Sequence, residues 1–265
     1  SIYYKEKPEY FRECMESIYS QTVLPDEIVL VEDGRLTDEL YEAISEYECR
    51  ASEINFVTVK LEKNSGLGLA LAEGIKHCSN ELVARMDTDD ICVPDRFERQ
   101  LKVFSNNNNL DVVGGFIAEF DIDKEHIVAE RKVPLCHNDI VRYQRKRDGL
   151  NHVSVMFKRK SVLDAGNYKN CLLMEDSLLW ANMIKNHCHM ANIDEVLVYV
   201  RTGDDMLKRR GGFDYFIKYR SGRRKILQTG TISMSDYFIT VAAQFVVCMM
   251  PLWMRSLVFK KILRN

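Results

Sequence analysis

The sequence holds no CxxC pair, no glycine-rich phosphate loop behind an opening strand, and no basic-then-apolar leader. Its eight cysteines stand singly at positions 14, 49, 78, 92, 136, 171, 188 and 248. That pattern argues against a disulfide framework and for a reducing compartment. The triplet His187-Cys188-His189 has no partner ligands at metal spacing and reads as a helix end. Without a leader, no secretory export is expected. Basic residues number 37 and acidic residues 39, for a net charge of -2, so there is no surplus to drive general nucleic-acid binding. Also missing is an apolar strand at the start, where the chain opens on Ser1-Ile2-Tyr3-Tyr4.

What is present fits one large α/β domain with appendages: 265 residues, 46% of them hydrophobic. Phe11, Cys14, Met15 and Ile18 keep helical spacing, and Glu27 to Val31 is a short apolar strand closed by Glu32-Asp33-Gly34. Thr37 caps a helix, Asn55 to Val59 is a strand, and Lys63-Asn64-Ser65-Gly66 turns into a helix. Further strands are read at residues 82–86, 111–117, 152–157 and 195–200, with a hairpin and a surface helix over 120–150. Strands alternating with helices indicate a largely parallel sheet covered on both faces.

The chemistry concentrates at Met86-Asp87-Thr88-Asp89-Asp90, between an apolar strand and the helix that Pro94-Asp95-Arg96-Phe97 opens. Three carboxylates crowd a strand's carboxyl end, where open α/β sheets bind ligands. They suit Mg²⁺ or Mn²⁺ holding phosphates, or else form a solvated helix cap. Glu175 and Asp176 begin another helix, either as reactive carboxylates or as ordinary partners of its dipole. From Lys208 to Lys225 the basic residues face a single acid, Asp214, which suits a phosphate, an anionic membrane surface or a solvated helix face. Residues 237–254 carry no charged side chain and precede Arg255, Lys260, Lys261 and Arg264. An interfacial helix, packing on protein, and a membrane span all remain open, the first fitting best.

Taken in order, these stretches resemble an inverting family 2 glycosyltransferase of the GT-A fold, in its bacterial surface-polysaccharide branch. The matching stretches are Ser1-Ile2-Tyr3, Val31-Glu32-Asp33-Gly34, Asn64-Ser65-Gly66-Leu67, Met86-Asp87-Thr88-Asp89-Asp90 with Pro94-Asp95-Arg96, residues 151–157, Glu175-Asp176 and Arg209-Arg210-Gly211-Gly212. The resemblance implies a mixed, mainly parallel central sheet, with a catalytic domain over 1–203 and a basic lid and helical extension over 204–265. It implies that Ile2, Tyr3, Asp33, Lys63 and Asn64 surround the nucleotide base, that Asp87 contacts ribose beside Thr88, and that Asp89 binds the metal. It further implies Asp176 as catalytic base with Glu175 beside it, His152 between donor and acceptor, and Arg209 and Arg210 over the diphosphate. Glu32 departs from the family's usual Asp. The family's first strand would precede Ser1, so the chain is expected to begin late relative to the natural protein.

The implied reaction moves a hexose from a nucleotide-diphospho-sugar, by resemblance a UDP-sugar, to a saccharide or polyprenyl-linked acceptor with inversion. Mn²⁺ or Mg²⁺ assists, on the cytoplasmic face of the inner membrane, in cell-surface polysaccharide biosynthesis. Two other classes compete. A sugar-nucleotide pyrophosphorylase needs the missing glycine-rich loop, and a noncatalytic membrane-associated assembly subunit gives no reason for carboxylates at strand and helix ends.

Overall fold

The computed structural model describes residues 1–50, 54–202 and 210–258, with side chains to 255. Helix α1 (Pro8–Tyr19) starts on a proline, whose missing N–H costs nothing at that position, and buries Phe11, Cys14, Met15 and Ile18. Strand β1 (Glu27–Asp33) follows, then α2 (Asp38–Cys49), where the Thr37 hydroxyl accepts from the Leu40 N–H. Strand β2 (Asn55–Leu61) pairs with β1 in parallel, from Glu27 opposite Asn55 to Asp33 opposite Leu61. Helix α3 (Leu67–His77) packs on that pair by laying Ala70 and Gly74 against Val31 and Val59.

The larger sheet is built from β3 (Leu82–Ala84), β4 (Ile91–Cys92), β5 (Leu110–Phe120), β6 (Ile127–Arg131), β7 (Met156–Lys158) and β8 (His189–Arg201). Its order is β3-β7-β5-β8-β4, with β6 added to β5. Between these strands run α4 (Arg96–Asn106), α5 (His137–Gln144), α6 (Arg159–Asp164) and α7 (Glu175–Lys185). The sheet is mixed. The parallel expectation holds for β1–β2 and β5–β8, whereas β3–β7, β5–β7, β4–β8 and β5–β6 are antiparallel. Ile2, only 1% exposed, forms a parallel bridge with Glu32 on the free edge of β1. Beyond it a groove of about 520 Å³ separates β1 from β3.

One departure from the sequence reading has a local cause. The strand expected over 152–157 shortens to β7, because 152–154 forms a 3₁₀ turn. There the Ser154 hydroxyl accepts from the Gly115 N–H at 3.1 Å, and the Asn151 amide donates to the Gly115 carbonyl at 2.8 Å. Polar side chains have replaced a ladder. The triplet at 187–189 closes α7 as its sequence suggests, with the Cys188 N–H returning to the Met183 carbonyl at 3.0 Å, His187 at φ +59° and His189 already in β8.

Arg96, wholly buried, fixes the end of β3. Its guanidinium donates to the Arg85 carbonyl at 2.8 Å and the Val155 carbonyl at 3.2 Å, and Gln100 steadies it. The acidic turn therefore hangs from a rigid peg. After β8, the described chain resumes into α8 (Phe213–Thr229), α9 (Met234–Met249) and α10 (Leu252–Val258). Pro251 separates the last two, and no described helix is long and apolar enough to cross a membrane. A capping box at Ser233 and Asp236 starts α9, and Asp236 also takes a salt bridge from Arg145 at 2.7 Å.

Candidate active site

Each carboxylate of interest sits at the end of an element. Asp33 closes β1, and its two oxygens accept from the backbone N–H groups of Ser65 at 2.6 Å and Gly66 at 3.0 Å. The Asn64 amide returns a bond to the Asp33 carbonyl at 3.3 Å. Asp33 thus fastens the turn that carries Lys63 and Asn64, bringing together residues thirty apart in sequence. Gly34 allows this at φ +85°, and a Cβ there would stand 2.6 Å from the Asn64 nitrogen. Gly34→Ala is expected to cost about 1–3 kcal/mol in urea denaturation, from backbone strain and overpacking, and to weaken nucleotide binding in the same protein. Ile2 and Tyr3 lie beside this loop pair through the bridge to Glu32, with Tyr3 edge-on to Tyr4 at 5.9 Å.

The turn after β3 brings Asp87, Asp89 and Asp90 together, with one oxygen from each within 4.8 Å of the others. Burial and mutual repulsion raise Asp89, and push Asp90 well above the ordinary carboxylate range. Asp87 is gripped bidentately by Arg85, and one Asp90 oxygen accepts from the Arg201 N–H at 2.9 Å. The donor set is all oxygen, partly buried and crowded with like charge. Those are the properties a hard divalent cation relieves, so the residues fit one. Thr88 is buried between them and donates to the Ser1 carbonyl at 3.4 Å.

Arg85 joins this turn to the second group. It is 6% exposed, its Nε has no hydrogen-bond partner, and its charge reaches Asp87, Asp89, Asp90, Glu175, Asp176 and His152. Glu175 and Asp176 occupy the first turn of α7, both half-buried. Burial raises Glu175. Burial, then the Asp148 and Glu175 charges, push Asp176 up to about 8, against the opposing pull of the Ser177 N–H. Asp148 is itself held by Gln144 at 2.8 Å and by the Ser177 hydroxyl at 2.6 Å.

A pH dependence of stability follows. The native state keeps a proton on Asp176 that the unfolded chain releases near pH 4, so native protein binds more protons between about pH 4 and 8. Stability is present at the acid end and is lost as pH rises through the folded value. The thermal midpoint of metal-free protein is expected to fall by several degrees from pH 5 to pH 8, and Asp176→Asn to flatten that fall.

His152 does not line the cavity beside Asp176. It packs at 5.5 Å from the Tyr168 ring and 6.0 Å from Trp180, its Nε2 lies 2.8 Å from the Tyr168 hydroxyl, and burial drives its pKa well below 6.5. It is a neutral, fixed ring. Arg210 lines that cavity, while Arg209 lies outside the described residues. Sequence reasoning passed over Arg85, Asp148 and Arg201 and gave Asp90 no role. An arginine inside an apolar strand was a usable signal for Arg85, since a buried cation needs a partner.

The sequence model described as "Glycosyl transferase family 2" matches residues 2–164. An amylovoran biosynthesis glycosyltransferase, AmsE, of Erwinia amylovora is 39% identical over 243 residues, covering 90% of this chain and 89% of the relative. The UDP-Gal:alpha-D-GlcNAc-diphosphoundecaprenol beta-1,3-galactosyltransferase of Escherichia coli is 34% identical over 265 residues, covering 100% and 95%. Among solved structures, the mannosyltransferase PcManGT of Pyrobaculum calidifontis, in complex with GDP-Man and Mn²⁺, superposes with a TM-score of 0.64 at 15% identity, covering 91% of this chain and 66% of that one. The last likeness bears on the fold, which is GT-A. With a family model across most of the chain and relatives matched nearly end to end, the protein belongs to glycosyl transferase family 2.

Proposed function

We propose that the protein transfers a hexose from a UDP-sugar to a polyprenyl-linked saccharide, inverting the anomeric centre, in the assembly of a bacterial surface polysaccharide. The observation that carries this reading is the arrangement around Arg85. A turn of three carboxylates close enough to share a cation, and a carboxylate with a raised pKa that opens to a cavity, both lie within reach of its charge. The names of the relatives supply the chemistry of donor and acceptor.

Asp89 and Asp90 would hold Mn²⁺ or Mg²⁺, with Asp87 beside them turned toward ribose and Thr88 filling the turn. The ion supplies charge neutralisation for the departing nucleoside diphosphate. Ile2, Tyr3, Asp33, Lys63 and Asn64 form the base-binding edge. Asp176 accepts the proton of the acceptor hydroxyl as that oxygen attacks C1 from the face opposite the leaving group, which gives inversion in one displacement. A resting pKa near 8 makes it a stronger base once the proton is shed. Burial, Asp148 and Glu175 keep that value high, and Arg85, bonded to Asp87, lies close enough for its charge to act on both carboxylate groups. His152 orders Tyr168 behind the sugar, and Arg210 faces the cavity beside Asp176. Residues 1–203 are the catalytic domain and 204–265 an extension. Exposed Phe238, Ile239, Val246 and Trp253 support a peripheral contact of that extension with the cytoplasmic face of the inner membrane.

The test is thermal denaturation with a panel of nucleoside diphosphates and their sugars, with Mn²⁺, Mg²⁺ or chelator. Binding to the native state alone raises the midpoint by mass action. A rise selective for UDP and dependent on a divalent ion is the expected result. A metal-independent rise, or none with any uridine nucleotide, defeats the reading.

A further inference from the structure

A cavity of about 540 Å³ opens beside Asp176, walled by the start of α7, the loop after α5, the end of β6, and the inward faces of α8 and α9. Five cationic side chains line it: Arg131, Lys146, Arg147, Arg210 and Arg223. They face two carboxylates, Asp148 and Asp176. No residue of the acidic turn and none of the Asp33–Asn64 pair reaches this space. The cations are therefore gathered away from the turn where the donor's phosphates would meet a metal.

Arg223 is the most telling of them. It is 2% exposed, one guanidinium nitrogen donates to the Arg145 carbonyl at 2.7 Å, and its Nε has no hydrogen-bond partner. A buried guanidinium is costly unless an anion balances its charge. Its planar fork matches the oxygens of a phosphate or diphosphate. Small Gly222 lets α8 approach Met174 at the root of α7, which places this arginine next to the catalytic helix.

We infer that this cavity is the seat of the acceptor's diphosphate, with the sugar it carries reaching from the cations to Asp176. The inference rests on the reading of the chain as a transferase with a lipid-linked acceptor, and it names where that acceptor's anionic group binds. Tyr215 and Tyr219 line the same cavity and offer ring faces to a sugar. Helix α9 turns Thr240, Ala243, Gln244 and Val247 inward to the cavity, while Phe238, Ile239, Val246 and Met249 on its other side are exposed. One helix thus separates an anion site from an apolar surface. A lipid diphosphate needs those two environments next to each other.

The experiment is isothermal titration calorimetry of the full chain, first with UDP and Mg²⁺ and then, at UDP saturation, with farnesyl diphosphate. Inorganic pyrophosphate, farnesyl monophosphate and farnesol are titrated in parallel. Farnesyl diphosphate is expected to bind the UDP-saturated protein, with pyrophosphate weaker, the monophosphate weaker still and farnesol silent. Arg223→Gln, and separately Lys146→Gln with Arg147→Gln, are each expected to weaken it tenfold or more, with UDP affinity unchanged within twofold. The rim pair keeps the test decisive if Arg223→Gln does not fold. Displacement of UDP by farnesyl diphosphate, equal binding by the rim variants, farnesol binding as well as the diphosphate, or no binding to wild type would each overturn the assignment. Loss of UDP binding by wild type itself would instead sink the transferase reading, and the inference with it.

Discussion

Asp176→Asn is expected to keep nucleotide-sugar affinity within twofold of wild type and to lose transfer by about 10²- to 10⁴-fold, the worth of a positioned general base. The amide preserves the shape of the carboxylate, and its oxygen still accepts from the Ser177 N–H, so the start of α7 is not disturbed. It cannot take a proton at neutral pH. It also removes the repulsion from Asp148 and Glu175 that raises the native pKa, so the variant is expected to melt higher than wild type above pH 7 while being nearly inactive. Lower stability together with lower activity would describe a damaged fold. Transfer near the wild-type rate would remove Asp176 from the mechanism.

Asp89→Ala is the second large effect. Asp87 is committed to Arg85, and one oxygen of Asp90 to the Arg201 backbone, whereas the Asp89 carboxylate accepts from its own N–H. Removing it leaves two ligands already partly engaged. Nucleotide affinity in Mn²⁺ is expected to fall about a hundredfold or more, to the value wild type shows in chelator. The informative comparison is the metal-dependent increment in calorimetry. An increment that survives in Asp89→Ala would move the ion to other ligands, and Asp90→Asn would then be the variant to read.

The alternation of strands and helices, the Thr37 cap, the glycine pair in β5 and the acidic turn were legible because each has a short-range cause: periodicity, capping chemistry, close approach, local charge. The glycine pair shows this well, since a Cβ on Gly115 would press into Leu197. What could not be read were pairings set by distant chain. The antiparallel setting of β7 and the 3₁₀ turn before it depend on Asn151 and Ser154 serving the Gly115 backbone, nearly forty residues away. The contact of the His152 Nε2 with the Tyr168 hydroxyl, sixteen residues on, likewise had no mark in the sequence. Asp148 sat in a polar stretch with no pattern to mark it, and acquires its role only because α5 and α7 place it beside Asp176. Arg209 falls outside the described residues, whereas Arg210 lies in the cavity with Asp176 rather than beside the acidic turn.

The most direct test of the account is transfer itself. UDP-hexose and a polyprenyl diphosphate-linked N-acetylhexosamine are incubated with the enzyme in Mn²⁺ and in chelator, and the anomeric configuration of the product is read by proton coupling. A product is expected only with the divalent ion, its new bond β when the donor is α. A product that retains the donor's configuration, or one that forms equally well in chelator, would contradict it.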